Sequence, residues 1–167
     1  VIPRRDILYA NWRELGHVLV AGTPGSGADI VLTGVISALA ARCSPDDLHL
    51  LTIASQRVLP APLERLPHQL VGLVEPTDEE SVAKALADAR TEMTRRMERA
   101  ATPTADGQSP KEQEPDVVLV IGELADLHDD DSTLETIATH GAAHGVYLLA
   151  ATAQPELGLT WQPATLV

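Results

Sequence analysis

The strongest constraint on the fold of this chain is the alternation of short, uninterrupted apolar runs with longer segments of helical periodicity. Four runs rich in Val, Ile and Leu are HVLVA (17–21), LHLLTIA (48–54), DVVLVIG (116–122) and VYLLAAT (146–152). Such runs are typical of strands buried on both faces, as in a parallel sheet flanked by helices. A shorter run, LVGLV (70–74), is a candidate for a further strand. The pattern predicts an α/β domain of three layers with a mainly parallel central sheet.

Two of the intervening segments carry signals for a helix start. Thr77 and Glu80 form a capping-box pattern ahead of a long amphipathic stretch, and Ser132 and Glu135 repeat that pattern before a shorter one. Gly145 is a plausible stop for the second helix. The long helix ends in a cluster of cations, which favour the negative end of the helix dipole. These cations are Arg95, Arg96 and Arg99.

Length and composition bound the domain organisation. The 167 residues fit a single domain over 1–167. Within it we expect an N-terminal lead-in at 1–16, a polar, Pro-containing flexible surface loop at 101–115 and a tail at 156–167 that the pattern does not assign.

Charge and cysteine content exclude several classes of protein. A net charge of −12 argues against a large DNA-binding surface, because an acidic domain repels phosphate backbones. The one cysteine, Cys43, excludes an internal disulfide and fits a reducing compartment. No apolar run approaches the roughly 20 residues that span a bilayer. We therefore expect a cytoplasmic domain.

The segment GTPGSGAD (22–29) has the position and spacing of a phosphate-binding loop, G-x-x-x-x-G-K-S/T, between the first apolar run and a helical one. Its glycines keep the backbone freedom that lets N–H groups point at an anion. Ala28, however, takes the place of the lysine, and Asp29 that of the Mg²⁺-binding hydroxyl. The candidate cofactor site comprises Gly22, Thr23, Pro24, Gly25, Ser26, Gly27, Ala28 and Asp29.

These two exchanges act against nucleotide binding. At an effective dielectric constant near 20, two like charges ~4 Å apart repel by about 4 kcal/mol before screening. Loss of the lysine removes a charge-assisted contact of roughly 1.5–3 kcal/mol. A carboxylate in the first turn stabilises the helix instead. We predict no cofactor, with any residual binding of ATP and Mg²⁺ weak; taken alone, the loop also fits a Gly-rich strand-to-helix turn.

Five segments in order resemble the motor domain of the FtsK/SpoIIIE family of P-loop ATPases. They are GHVLVAGTPGSGAD (16–29), LLTIASQRVL (50–59), LPHQLVGLVEPTDEESVAKALADARTEMTRRME (66–98), VVLVIGELADL (117–127) and HGAAHGVYLLAATAQP (140–155). The resemblance implies a three-layer RecA-like P-loop NTPase fold and descent from a ring-forming motor. Family members pump double-stranded DNA, and relatives in type VII secretion carry several such domains in tandem, some of them degenerate.

The departures from the family pattern remove charged and polar groups. The Walker B aspartate is Gly122, whereas the neighbouring Glu123, the family's water-activating base, is kept. Hydrolysis needs charge neutralisation on the phosphates as well as a base, so Glu123 is interpreted as a vestigial catalytic residue. Further departures are Ala54, Ser55 and Gln56 after the second strand, Ala142, and the pair Ala153 and Gln154.

The resemblance and its departures together predict a pseudo-ATPase that is a structural or regulatory interaction module of a translocating motor. Its partners would be other FtsK-like ATPase domains in tandem or in a ring, with a peptide or protein segment held in the cleft in place of ATP. The expected localisation is cytoplasmic, which includes the soluble part of a membrane-associated motor. One alternative is a nucleotide-binding domain or weak ATPase completed by a neighbouring subunit of a DNA-translocase ring. Another is a small α/β enzyme of unrelated chemistry.

Two other patterns are weak candidates for sites. His140 and His144 are four apart, as two zinc ligands on one helix would be, but they lack a HExxH glutamate and a third ligand. The acidic run HDDDS (128–132) is read as an N-capping loop, not a cation site. Glu123 beside Asp126 could form a carboxylate pair, although the vestigial base is the better interpretation. No metal is predicted.

Overall fold

The computed structural model describes residues 11–102, 114–129, 131–154 and 164–166. The predicted lead-in, surface loop and tail fall largely outside these ranges. The strands are β1 (Val18–Ala21), β2 (Leu48–Ile53), β3 (Asp116–Ile121), β4 (Val146–Thr152) and β5 (Ala164–Leu166). The helices are α1 (Trp12–Leu15), α2 (Ala28–Arg42), α3 (Ala61–Glu64), α4 (Glu79–Ala101) and α5 (Thr133–His140), with 3₁₀ turns at Leu124–Asp126 and Ala142–His144.

The strands form one parallel sheet in the order β2-β3-β4-β1-β5. Successive residues of each central strand face opposite sides, so that Leu19 packs under α4 and α5 whereas Val18 and Val20 pack under α2. Burial on both faces explains why these strands are continuous apolar runs. The prediction of a three-layer α/β fold with a mainly parallel sheet is confirmed.

The prediction of a further strand at 70–74 is wrong. Two isolated bridges join this stretch to β2, between Leu50 and Gln69 and between Ile53 and Val74. Between the bridges Leu70 and Val71 are exposed, with 49% and 38% of their surface accessible. The segment touches the sheet edge at its two ends, and its middle leaves the edge, so no ladder forms.

The N-cap of α4 lies one residue beyond the N-cap of the predicted capping box. The N-cap is Asp78, whose carboxylate accepts a hydrogen bond from the Ser81 N–H at 3.2 Å, and the helix begins at Glu79. Thr77 and Glu80 therefore do not form the predicted pair. Asp is a better N-cap than Thr, which explains why the helix starts after Asp78.

The start of α5 also differs from the capping-box prediction. Ser132 occupies the N-cap position, but its φ of 51° is left-handed and its side chain makes no capping hydrogen bond. The Asp129 carboxylate accepts from the N–H groups of Thr133 at 2.9 Å and Leu134 at 2.7 Å. Asp129 thus fulfils the N-capping interpretation of the acidic run. The prediction that Gly145 stops this helix is wrong, because α5 ends at His140 with Gly141 as its C-cap. Gly145 ends the following 3₁₀ turn in a left-handed conformation, with φ of 70°.

No helix within the described ranges combines the length and the apolar character needed to cross a bilayer.

Candidate functional site

The candidate site lies at the sheet edge where β1, β3 and β4 end together. The register pairs Ala21 with Thr152, and the Gly22 N–H donates to the Thr152 carbonyl oxygen at 3.1 Å. A cavity of about 240 Å³ opens at this edge. We call it the cleft; its walls are the glycine-rich loop, the first turn of α2, Val58, Gly122 with Glu123, and the residues that end β4. Carboxyl ends of parallel strands are where such sheets bind ligands.

The glycine-rich loop has a backbone suited to holding an anion. Gly25 and Gly27 have φ of 81° and 93°, a left-handed region that side chains disfavour. The Ser26 N–H donates to the Thr23 carbonyl oxygen at 2.9 Å, and α2 begins at Ala28. All eight predicted loop residues thus lie in one turn at the start of α2.

The charges around the cleft have the wrong sign for phosphate. Among the residues that line it, the ionisable side chains are Asp29 and Glu123, and no lysine, arginine or histidine is present. Asp29 is exposed in the first turn of α2. Its carboxylate makes no hydrogen bond or ion pair within the part of the chain that the structure describes. Its predicted stabilisation of α2 therefore rests on the helix dipole, without a bond to an unpaired N–H group.

Glu123 is engaged with the backbone. Its carboxylate accepts from the Ala153 N–H, at 3.0 Å to Oε2 and 3.3 Å to Oε1, and from the Ala125 N–H at 3.1 Å. These bonds tie the end of β3 to the residue that follows β4 and cap the 3₁₀ turn. Glu123 thus has a structural use that does not depend on a nucleotide.

The floor of the cleft is closed at Gly122. A Cβ atom at this position would lie 2.7 Å from the Ala54 Cβ and 3.2 Å from the Ala54 Cα. The first distance is shorter than real Cβ contacts, and the second is tighter than most of them. The Val58 Cγ1 lies on a third side, at 3.3 Å. No carboxylate for Mg²⁺ can therefore project from residue 122 without a shift of its neighbours.

Sequence reasoning identified Gly122 and Ala54 separately but missed that they touch. They follow paired residues, Ile121 on β3 and Ile53 on β2, and the Gly122 N–H donates to the Ile53 carbonyl oxygen at 2.9 Å. A signal was available in the sequence, because a small residue follows both strands: Gly122 follows β3 and Ala54 follows β2. The structure shows that these strands are neighbours.

The histidine pair does not form the arrangement of a helical metal site. His140 is the last residue of α5, and His144 lies in the 3₁₀ turn beyond Gly141, so one continuous helix does not carry both. No group of three or more His, Cys, Asp or Glu side chains within the described ranges is arranged to hold a metal ion.

Comparison with known proteins adds a family and a set of relatives. The profile of the FtsK/SpoIIIE family matches residues 1–105. The DNA translocase FtsK of Campylobacter jejuni is 30% identical over 159 residues, which cover 87% of this chain and 17% of that protein. The DNA translocase SpoIIIE of Bacillus subtilis is 27% identical over 172 residues, which cover 91% of this chain and 22% of that protein. The chain spans about a fifth of the length of these relatives.

Solved structures share the fold at lower identity. The cytoplasmic domain of EssC superimposes with a TM-score of 0.72 at 21% identity, over 96% of this chain and 34% of that one. Thermomonospora curvata EccC (ATPases 2 and 3) in complex with a signal sequence peptide gives a TM-score of 0.68 at 18% identity, over 93% and 28%. At these identities the likeness establishes the fold alone, which is that of P-loop ATPases.

Proposed function

Because the chain belongs to the FtsK/SpoIIIE family, we propose that it is a catalytically degenerate P-loop ATPase domain that serves as a structural or regulatory interaction module of a translocating motor. The single domain over 1–167 would work in DNA translocation or in protein secretion of the type VII kind. The observation that carries this proposal is a cleft with two carboxylates and no cation among its lining residues, above a floor closed at Gly122.

The chemistry of phosphoryl transfer explains why this cleft is a poor catalyst. Hydrolysis requires lysine, Mg²⁺ and an arginine to neutralise charge that develops on the phosphates. Ala28 contributes no charge, and Gly122 has no room for a metal ligand beside Ala54. Glu123 has the carboxylate of a base, but its oxygens accept hydrogen bonds from the N–H groups of Ala153 and Ala125.

The relatives support a role beside other ATPase domains. The curated relatives are about five times as long as this chain, and the EccC structure contains two ATPases and a signal sequence peptide. We infer that this domain packs against further ATPase domains, in tandem or in a ring. Its net charge of −12 leaves direct DNA contact to other parts of the assembly.

Restoring the loop tests this proposal. The double substitution Ala28→Lys and Asp29→Thr should raise the affinity for Mg-ATP by at least about 10-fold, because a charge-assisted contact of roughly 1.5–3 kcal/mol is regained and a repulsion removed. Ala41→Lys, which adds the same charge at an exposed site on α2, should leave the affinity unchanged. If the unsubstituted chain binds Mg-ATP as tightly as the double variant, the domain is not degenerate in binding.

A second candidate is a nucleotide-binding domain, or a weak ATPase that a neighbouring subunit completes. It is favoured by the loop backbone, in which Gly25 and Gly27 keep the left-handed conformation of an anion cradle. This candidate requires nucleotide binding that is lost in Gly27→Val, because a β-branched residue does not adopt a φ of 93°. Binding that survives Gly27→Val would place the nucleotide elsewhere.

A further inference from the structure

A second cavity adjoins the cleft and continues it along α2. This cavity, which we call the outer groove, also has a volume of about 240 Å³. Asp29 and Val58 line both cavities, so the cleft and the outer groove share one wall. The outer groove is completed by the apolar Ile30 and Pro60, the polar Thr33 and Gln56, and the basic Arg57.

The wall that α2 presents here is apolar and exposed. Ile30 has 72% of its surface accessible, and Val31 beside it 45%. Between Asp29 at its start and Arg42 at its end, α2 carries no charged residue. The solvent side of a surface helix is normally polar, and an apolar patch bordered by polar groups is typical of a binding surface.

The charges along the combined surface follow an order. Glu123 lines the cleft only, Asp29 and Val58 line both cavities, and Ile30 and Arg57 line the outer groove only. Asp29 and Arg57 are exposed, and neither forms a hydrogen bond or ion pair through its side chain with the residues that the structure describes. Both charges are therefore available to a ligand.

We propose that the cleft and outer groove bind an extended polypeptide segment of another domain, through an arginine at Asp29, an apolar side chain on Ile30 and Val58, and an acidic side chain at Arg57. This inference rests on the proposed function and specifies the partner of its site. The cation takes the place that a phosphate has in an active relative.

Charge and geometry favour arginine as the residue at the cleft. A planar guanidinium forms paired hydrogen bonds with a carboxylate and packs on apolar surface, which a lysine ammonium does less well. The N-terminus of α2 opposes a cation, but the dipole end is worth about half a charge, against the full charge of Asp29. Anionic ligands meet two carboxylates at the same place.

The test is a titration of a synthetic peptide into the 15N-labelled chain, followed by backbone amide shifts. The peptide contains Arg, Leu and Glu separated by single serines, and a second peptide replaces Arg by citrulline, which has the same shape without the charge. Binding should shift the amides of 25–33 and 56–58, and the citrulline peptide should bind more weakly. Asp29→Asn should reduce affinity about two- to fivefold, as for loss of an exposed ion pair, and Asp46→Asn, at an exposed turn, should not.

Ile30→Ser provides an independent arm, because it leaves the charges in place. It should weaken binding, whereas Leu70→Ser, at an exposed apolar residue elsewhere, should not. Absence of peptide binding, equal binding of the citrulline peptide, or equal effects of the variants and their controls would overturn this inference. Micromolar binding of Mg-ATP would instead refute the proposed function, and this inference with it, whereas failure of the peptide alone leaves that function standing.

Discussion

At the scale of single residues, the cleft is shaped by two small side chains that meet at neighbouring strand ends. Gly122 and Ala54 are both buried, and the space that a longer side chain at residue 122 would need is already filled by the Ala54 Cβ and backbone. Packing therefore disfavours any side chain at residue 122, whatever its chemistry. An aspartate would fit at residue 122 only if its neighbours moved.

This packing predicts the effect of Gly122→Ala. The added Cβ would lie 2.7 Å from the Ala54 Cβ, so the free energy of unfolding should fall by about 1–3 kcal/mol, as for other overpacked cores. Denaturant unfolding measures it. Gly34→Ala is the matched control: Gly34 lies on the exposed side of α2 with no atom within 4 Å, and the alanine should stabilise by about 0.5–1 kcal/mol. A Gly122→Ala variant as stable as the unsubstituted chain would mean that the floor is not closed.

At the scale of elements, α4 is anchored to the sheet by a buried arginine. Arg96 is 9% exposed; its Nη1 donates to the carbonyl oxygens of His144 and Gly145 at 3.2 Å, and its Nη2 to that of Pro115 at 2.8 Å. These carbonyl groups lie where the chain enters β4 and β3. From the sequence, Arg96 is one of the cations that favour the end of a helix. Its burial depends on the packing of α4 against the sheet, which the periodicity of the sequence does not predict.

Replacement of Arg96 by methionine should lower the free energy of unfolding by about 2–3 kcal/mol, because three carbonyl oxygens lose hydrogen bonds from a charged donor. The measurement is again denaturant unfolding. Arg90→Met, at an exposed position on α4, should change stability by no more than about 0.5 kcal/mol. Equal effects of the two substitutions would contradict the anchoring role of Arg96.

The same helix predicts a pH dependence through Glu92. Hydrogen bonds from Arg95 and then Arg96 lower the pKa of Glu92 from 4.5 to about 2, although burial opposes the shift. Because the folded pKa lies below the unfolded one, this stabilisation is complete above pH 4.5 and is lost as the pH falls towards 2. Solvent screening limits it to at most about 1 kcal/mol. Glu92→Gln should flatten the loss of stability between pH 6 and pH 3. An unchanged slope would rule out the contribution of Glu92.

The elements could be predicted from the sequence to different degrees. The strand runs 48–54 and 146–152 match β2 and β4 within one residue, because strands buried on both faces are continuously apolar. Helix starts are less predictable, because nearby side chains compete to accept hydrogen bonds from the first N–H groups of a helix. At α5 the acceptor is Asp129 and not Ser132. The loop at 22–29 was found because its residues are contiguous. The contact of Gly122 with Ala54 and the outer groove depend on elements far apart in sequence.

At the scale of the whole molecule, the parallel sheet brings the ends of β1, β3 and β4 to one edge, where the ionisable side chains that line the cleft are Asp29 and Glu123. Apolar residues build the sheet, whereas no lysine, arginine or histidine lines the cleft at its edge. We therefore propose that this fold serves assembly with other domains and that nucleotide hydrolysis takes place in those domains.

The most direct test of that account is calorimetric titration of Mg-ATP into the unsubstituted chain at low salt, with the Ala28→Lys, Asp29→Thr variant as the positive control. The account predicts no saturable heat up to about 1 mM ATP for the unsubstituted chain and measurable binding for the variant. A saturable isotherm for the unsubstituted chain with a micromolar Kd would contradict it, because the loop backbone would then bind nucleotide despite Asp29 and without the lysine.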